Sequence, residues 1–558
     1  MKLLSQPKLF ECLKSYSLKR LLKDIQAGLS VGIVALPLVI AFSIASGVSP
    51  EKGFITSIVG GLLCALLGGS STQISGATAA FSVIIFTVLQ EFGTDGLFLA
   101  TAMAGVFLIV LGVMRLGTII KFIPYPIVVG FTSGIAVITF SIVVKDFLGY
   151  PNSINVPIKF VGCWEAIINN LEHTNLSSVI LVIITVLVAI FSKKITSVVP
   201  GSLIAIVIST LLVYFGQGLP GFADIETIGD RFNIVSSMPR PHSFAFNLDT
   251  LGSVLPAAFT IAFLGAMQSL LSSTVADGIS GDKTDSNTEL IGQGVANFVI
   301  PFFGGIPIAG AIARTITNVN NGGRSPLAAV VHSILLLGVL LFLMPLVKLI
   351  PMAALAGILF IVAYNMGDWK TFKEIIFARN AGSIVLFITF VLTVVVNLTV
   401  AIEVGLIFAV LLFLKRISEA SGISVETETI TNSHGEDLNI PSGVEIYEIE
   451  GPFFFGVANK FDTVMSQTVD KKPNVRIIRM RKVPFIDSTG LHNLELLIKK
   501  SHQENIRIIL SGVNESVRHE LYTNSFIVDT LKKENICDNI RAAIEESKAL
   551  LKADTPVD

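Results

Sequence analysis

Charge is what this sequence most lacks. Only 15% of its 558 residues are Asp, Glu, Lys or Arg, and 52% are hydrophobic. Soluble domains carry about 25% charged residues. With a mean hydropathy of +0.74, the composition excludes a chain that is soluble throughout. Cysteine is scarce too. Cys12, Cys64, Cys163 and Cys537 are widely scattered, which excludes a disulfide framework and a cysteine metal site. The seven histidines are equally dispersed and add no metal signal. No catalytic constellation and no nucleotide-binding Gly-rich loop is visible, so neither an enzyme nor a cofactor is expected. The formal net charge of −1 says little, because the charges are unevenly placed, and no nucleic-acid partner is expected.

What is present is a series of long charge-free runs. "AGLSVGIVALPLVIAFSIASG", Ala27 to Gly47, has the length that spans a bilayer's hydrocarbon. The next run, Phe54 to Gln90, is too long for one helix and is broken by "GGSSTQISG". It reads as a span to about Leu67, an extended stretch, and a short helix from about Ala77. Further spans fall near 96–114, 124–143, 177–192, 200–215, 251–276, 289–303, 311–319, 326–345, 347–364, 382–398 and 399–414. The chain is therefore expected to be a polytopic α-helical membrane protein with fourteen transmembrane elements.

An even number puts both termini on one side. Segment 1–23, with Lys2, Lys8, Lys14, Lys19, Arg20 and Lys23, shows no signal-peptide cleavage pattern and reads as cytoplasmic. Lys193, Lys194, Arg324, Lys370, Lys373, Arg379, Lys415 and Arg416 fall on that same side. The membrane domain is read as 24–416, followed by a linker at 417–440. From 441 to 558, strand-like runs ("VEIYEIEG", "VRIIRMRKV", "IRIILSGV") alternate with helical ones ("TGLHNLELLIKKSHQEN", "NIRAAIEESKALL"). That alternation predicts a small cytoplasmic α/β domain with a largely parallel sheet.

Two interrupted places resemble each other: "GGSSTQISGATAAF" and "GGIPIAGAIARTITN". Each opens on a glycine pair, runs on in non-helical residues, and reaches a small-residue motif. Gly76-Ala77-Thr78-Ala79-Ala80 aligns with Gly310-Ala311-Ile312-Ala313-Arg314. Each motif is in the third element of a seven-element half, and an odd count makes the halves inverted. Small-residue patches singly serve close helix packing, but paired interruptions in corresponding positions point to a transporter's binding site. Half-helices starting near the midplane present unpaired N–H groups and about half a positive charge each, so two facing ends form an anion site. Thr78 adds a hydroxyl. Arg314 follows a stretch, Leu290 to Ala313, without any charged residue. Its cost in lipid is met either by a small anion, by snorkelling, or by an ion pair with Glu403 or Asp277.

These motifs, with "VADGISG", "ELIGQGVANFVIPFFGGIP" and "GAIARTITNVNNGGRSP" in order, resemble the SulP (sulfate permease, SLC26-type) family of anion transporters. The tail, with "VPFIDSTGL", resembles a STAS domain. The resemblance implies a seven-plus-seven inverted repeat with core and gate domains. It also implies elevator-type movement, homodimers, and a substrate held by Phe42, Thr78, Ala79, Ala313 and Arg314. Two departures stand out. Ala77 occupies a place where many relatives have proline, which would pre-set the first helical turn. Gln268, in "GAMQSLL", occupies a pocket position where many bacterial relatives carry a carboxylate proposed to couple transport to a proton or sodium ion. Glutamine cannot titrate, so symport through this position is not expected. In the tail, soluble relatives are phosphorylated at the serine matching Ser488. Ser488 is also expected as the helix N-cap, with Asp487 and Thr489 as alternatives, and a cytoplasmic partner on this domain is open.

The expected ligand is a small inorganic or carboxylate anion, such as sulfate, bicarbonate, chloride or a short dicarboxylate. The competing readings are an uncoupled anion channel, a nucleobase-type permease, and a membrane-tethered signalling scaffold.

Overall fold

The computed structural model describes residues 6–14, 16–120, 124–151, 153–157, 159–195, 199–216, 222, 224–234, 236–241, 243, 248–420, 422–431, 436–454, 473–523, 531 and 535–553. The expected segments 1–23 and 441–558 are thus only partly described, and the side chain of Lys193 lies outside the described residues. The chain divides into two compact units, Met1–Ala409 and Val410–Asp558.

In the first unit a helix lies at each expected place. Helix α1 is Leu18–Ala45 and α2 is Pro50–Leu67. Helix α3, Ala79–Val113, is two helices joined across Gly93, whose φ of 68° breaks the regular ladder in a region glycine tolerates and other residues rarely adopt. The series continues with α4 (Tyr125–Phe147), α5 (Leu176–Ile195), α6 (Gly201–Gly216), α7 (Leu248–Ser280), α8 (Ser286–Val299) and α9 (Ile312–Asn320). It closes with α10 (Leu327–Val347), α11 (Met352–Met366), α12 (Ala381–Val395) and α13 (Leu398–Ala420), the last of which runs on past Ala409 into the second unit. Among the described residues, eight helices are long and apolar enough to cross a membrane. Short helices at Phe160–Asn169 and Trp369–Phe377 occupy stretches that the sequence reading left as connections.

Helix α2 is not uniform. It starts on Pro50 and passes through a π turn at Thr56–Gly60, a local widening often found at functional sites. At the start of that turn Thr56 Oγ1 accepts from Ile306 N–H at 2.7 Å, with its own hydrogen shared between Lys52 O, one turn back in the helix at 2.8 Å, and Ile306 O at 3.1 Å. A residue of α2 thereby grips the interrupted stretch before α9.

The second unit holds a five-stranded sheet. Taking Ser75–Gly76 as β1 and Ala309–Gly310 as β2, its strands are β3 (Gly422–Glu426), β4 (Val444–Glu450), β5 (Val475–Lys482), β6 (Arg507–Ser511) and β7 (Ile536–Cys537). They lie in that order, parallel from β4 onward, with β3 antiparallel on the edge. Alternate residues bury on opposite faces. Tyr447, Ile449, Ile478 and Met480 join α14 (Ser488–Gln503), while Val444, Ile446, Val475 and Ile477 join α16 (Ile540–Ala553), with α15 (Glu515–Thr523) between them in the chain. Helices on both faces are what a parallel sheet requires. The stretch 417–440, read as a linker, contains β3, and α13 runs past residue 416.

The N-cap expectation for Ser488 is corrected. Ser488 is the first helical residue, and Asp487 is the cap, its carboxylate accepting from Gly490 N at 2.7 Å. The N-cap residue needs extended backbone, which Asp487 has (φ −97°, ψ 176°). Asp487→Ala is expected to cost about 1 kcal/mol and to speed amide exchange in the first turn of α14 in the full chain. Ser488→Ala should leave that exchange unchanged.

Candidate functional site

The two interrupted stretches meet. β1 and β2 pair antiparallel, Ser75 opposite Gly310 and Gly76 opposite Ala309, and Ala311 N donates to Ile74 O at 2.8 Å. Directly after the crossing each stretch turns into a helix: Thr78 caps α3 and Ala311 caps α9, neither with a side-chain hydrogen bond. The amides just before the helices are already satisfied, Ala77 N by Ser57 Oγ and Gly310 N by Ser269 Oγ. The first-turn N–H groups are different, because a helix has no carbonyl of its own to offer them. Two positive helix ends therefore lie side by side.

One face of α9 fixes this arrangement. Arg314, Thr315 and Asn318 are all buried, and each reads a different residue of the extended stretch. Arg314 Nη2 donates to Ala77 O, Thr315 Oγ1 accepts from Ile74 N at 3.0 Å, and Asn318 Nδ2 donates to Thr72 O at 2.7 Å. Arg314 is 1% exposed. That removes snorkelling, and among the described residues it pairs with neither Glu403, which is exposed, nor Asp277, which binds Thr284. The guanidinium lies behind the helix ends and fills the space over Gly76, where a Cβ would lie 2.4 Å from Nη1. Its second nitrogen, Nη1, is buried without a partner among the described residues.

The other residues singled out from sequence are brought to the same place. Thr78 Oγ1 donates to Gln268 Oε1 at 3.1 Å, so the threonine hydrogen is turned to α7, not left free as expected. Gln268 is half-buried, and its amide NH2 has no partner among the described residues. Ala79 is half-buried, Ala313 exposed, and Phe42 buried in the apolar cluster against which Ala79 packs. The Phe42 carbonyl also accepts from Ser82 Oγ at 3.5 Å, tying α1 to the first turn of α3. Close to the helix ends, the lining is small apolar side chains, backbone amides and a neutral amide, with one buried cation behind.

Sequence reasoning missed what holds the crossing from the other side. Glu289, Gln293 and Asn297 lie at i, i+4 and i+8 on α8, one stripe of its surface, and all three are buried. Glu289 accepts from Gly69 N (2.9 Å), Ser70 N (3.1 Å), Gln73 Nε2 (2.8 Å) and Gln293 Nε2 (2.9 Å). Gln293 Nε2 also reaches Ser75 Oγ at 2.7 Å. Asn297 bonds both the N–H and the carbonyl of Ile308, at 3.0 and 2.9 Å. The signal was available: polar residues spaced by four in "ELIGQGVAN", on a helix expected to cross the bilayer.

This geometry accompanies clear kinship. Residues 21–389 match the sulfate permease family, and residues 437–543 match the STAS domain. The chain is 38% identical to YvdB of Bacillus subtilis over 529 residues, covering 94% of this chain and 98% of that one. It is 30% identical to the bicarbonate transporter BicA of Picosynechococcus sp. over 516 residues, covering 89% and 90%. Among solved structures, the murine Slc26a9 anion transporter in its inward-facing state superposes with a TM-score of 0.86. It covers 98% of this chain and 94% of its own at 20% identity, a likeness of fold. The fold and site define an integral membrane protein of the transporter class. This chain belongs to the sulfate permease family, with a carboxy-terminal STAS domain.

Proposed function

We propose that the protein is a secondary transporter of a small anion, bound between the amino ends of α3 and α9. The single observation that carries this reading is the β1–β2 crossing, which delivers two uncapped helix starts to one place. Oriented amides and a desolvated guanidinium favour negative charge, and small side chains at Ala79 and Ala313 leave the backbone approachable. Phe42, Thr78, Ala79, Gln268 and Ala313 line the site in this reading, and Arg314 supplies its field from behind. Sulfate, bicarbonate, chloride and short dicarboxylates all suit such a pocket. The family's sulfate permease name and the bicarbonate transport of one relative support the first two.

In the same reading the helices carrying the site move as a core against a gate, in an elevator-type alternating-access cycle, and two copies form a homodimer. The bias of Lys and Arg supports a cytoplasmic side for both termini; in this reading the membrane is a bacterial inner membrane, the second unit meets a cytoplasmic partner and Ser488 is open to phosphorylation. Gln268 has no proton to give or take, so exchange or uncoupled carriage fits better than proton symport. Uptake into proteoliposomes, screened across these four anion classes with and without the same anion inside, tests the proposal. Saturable uptake, accelerated by internal anion and indifferent to an imposed pH gradient, is the expected result. Flux that does not saturate would make the pathway a channel, and no uptake of any of them would end the reading.

A further inference from the structure

The charged groups around the amino end of α1 take no part in the site above. Ser17, Lys19, Arg20 and Lys23, with Asp282 beyond α7 and Arg324 between α9 and α10, line a cavity of about 620 Å³. Four cations thus face one carboxylate, and that carboxylate is engaged elsewhere. Asp282 lies 3.5 Å from Lys8 Nζ and accepts the Ser71 hydroxyl. Lys19 and Lys23 are exposed, and among the described residues no acid forms an ion pair with the side chains of Lys19, Arg20, Lys23 or Arg324; the buried Asp24 carboxylate accepts from the Arg324 backbone N–H at 2.8 Å and from Tyr16 and Ser325. The arginines instead brace backbone. Arg20 Nη2 donates to Arg324 O at 2.6 Å, and Arg324 Nη1 donates to Val319 O and Gly323 O, both at 2.8 Å. Arg20 Nε is buried without a partner among the described residues.

The placement of these cations is electrostatically costly as it stands. Lys19 and Arg20 occupy the first turn of a 28-residue helix that has no acid in that turn. A helix start is already positive, and cations there are unfavourable. A bound anion adds an attraction to each of these cations and to the helix start, offsetting their mutual repulsion. The cavity's size falls within the roughly 300–1,000 Å³ of pockets that take organic ligands, so it has room for more than a lone inorganic ion. Lysine ammonium groups beside an arginine edge are a phosphate-binding set.

We propose that this cavity is a second anion site, separate from the transport site, which binds the phosphate group of a larger molecule. Lys19, Lys23 and Arg20 hold the phosphate, whether it belongs to a lipid headgroup or to a soluble compound. A ligand here touches α1, the end of α7 and the connection that follows α9, and α1, α7 and α9 carry Phe42, Gln268 and Arg314. Occupancy therefore ties together the far ends of the elements that build the transport site.

The test titrates the purified full-length protein by calorimetry, with inorganic pyrophosphate in one arm and short-chain phosphatidylglycerol in the other. Saturable binding of at least one probe is expected. The Lys19→Gln/Lys23→Gln double variant should bind it roughly thirtyfold more weakly, and Lys23→Gln alone about fivefold, from the loss of one near-surface cation at a time. Both lysines are exposed, so folding is expected to survive, and the single variant serves if the double one does not. Tighter binding of pyrophosphate identifies a soluble phosphate compound, and tighter binding of the lipid identifies a headgroup. Thr78→Val, altered at the transport site, should bind the probe as the native protein does. Loss of binding in Thr78→Val would assign the probe to the transport site and overturn the proposal. So would failure of both probes to saturate, or native-like binding by the lysine variants.

Discussion

Replacing Arg314 with alanine is expected to lower anion uptake into proteoliposomes roughly ten- to hundredfold, the loss associated with one charge-assisted hydrogen bond in a desolvated place. Two effects combine. The positive field behind the helix starts disappears, and the Ala77 carbonyl loses the donor that fixes the end of β1 against α9. Arg314→Lys separates them. An ammonium keeps the charge but not the planar fork. If the field dominates, lysine retains most of the uptake; if the brace dominates, lysine is as poor as alanine. Native uptake by Arg314→Ala, at native protein density in the vesicles, would remove this residue from the transport cycle.

The parts of the fold that could be read from sequence are those written in hydropathy and in backbone-permissive residues. The glycine pairs and the motifs at Gly76 and Gly310 announced interrupted helices because they recur in corresponding positions of the two halves, and the two stretches do pair. The break at Gly93 fell between two expected spans. The sheet of the second unit followed from β-branched runs alternating with amphipathic helices. Direction was not legible. Sequence placed Arg314 at a helix start but could not say that its guanidinium turns toward Ala77. That depends on which face of α9 meets the extended stretch 72–77, a tertiary fact. Likewise "FIDSTGL" offers three capping side chains, and only the extended backbone at Asp487 decides among them.

The polar stripe on α8 escaped for a different reason, and it changes how the site is understood. The chain at 69–76 has too little regular structure to satisfy its own amides, and an unpaired backbone group within a bilayer costs several kcal/mol. The irregular backbone that makes the site is therefore permitted only where other side chains replace the missing ladder. Glu289, Gln293 and Asn297 do this from one helix, while Arg314, Thr315 and Asn318 do it from another. Because both sets bond the extended stretches that make the crossing, α8, α9 and the crossing are joined in one hydrogen-bond network. In an elevator-type cycle such a network would carry the anion without losing its geometry.

Glu289 is the member of that set whose loss should be felt most. Its two oxygens accept four hydrogen bonds, two of them from backbone amides, in a place where the side chain is 2% exposed. Glu289→Ala leaves Gly69 N, Ser70 N and two glutamine amides facing a hole. Leaving one buried donor unsatisfied costs about 1–3 kcal/mol, so several left together amount to a large part of the net stability of most domains. The expected result is a steep fall in melting temperature in detergent, read by the survival of the monodisperse peak on size exclusion after heating. Glu289→Gln should be intermediate: it keeps one acceptor oxygen but turns an NH2 toward donors. Glu403→Ala, at an exposed acid on α13, should change stability by no more than about 0.5 kcal/mol, which controls for the loss of a carboxylate as such. If Glu289→Ala melted with the native protein, the crossing would have to be held chiefly by α9. In that case the burden would fall on Asn318, whose replacement by alanine would then show the large effect instead.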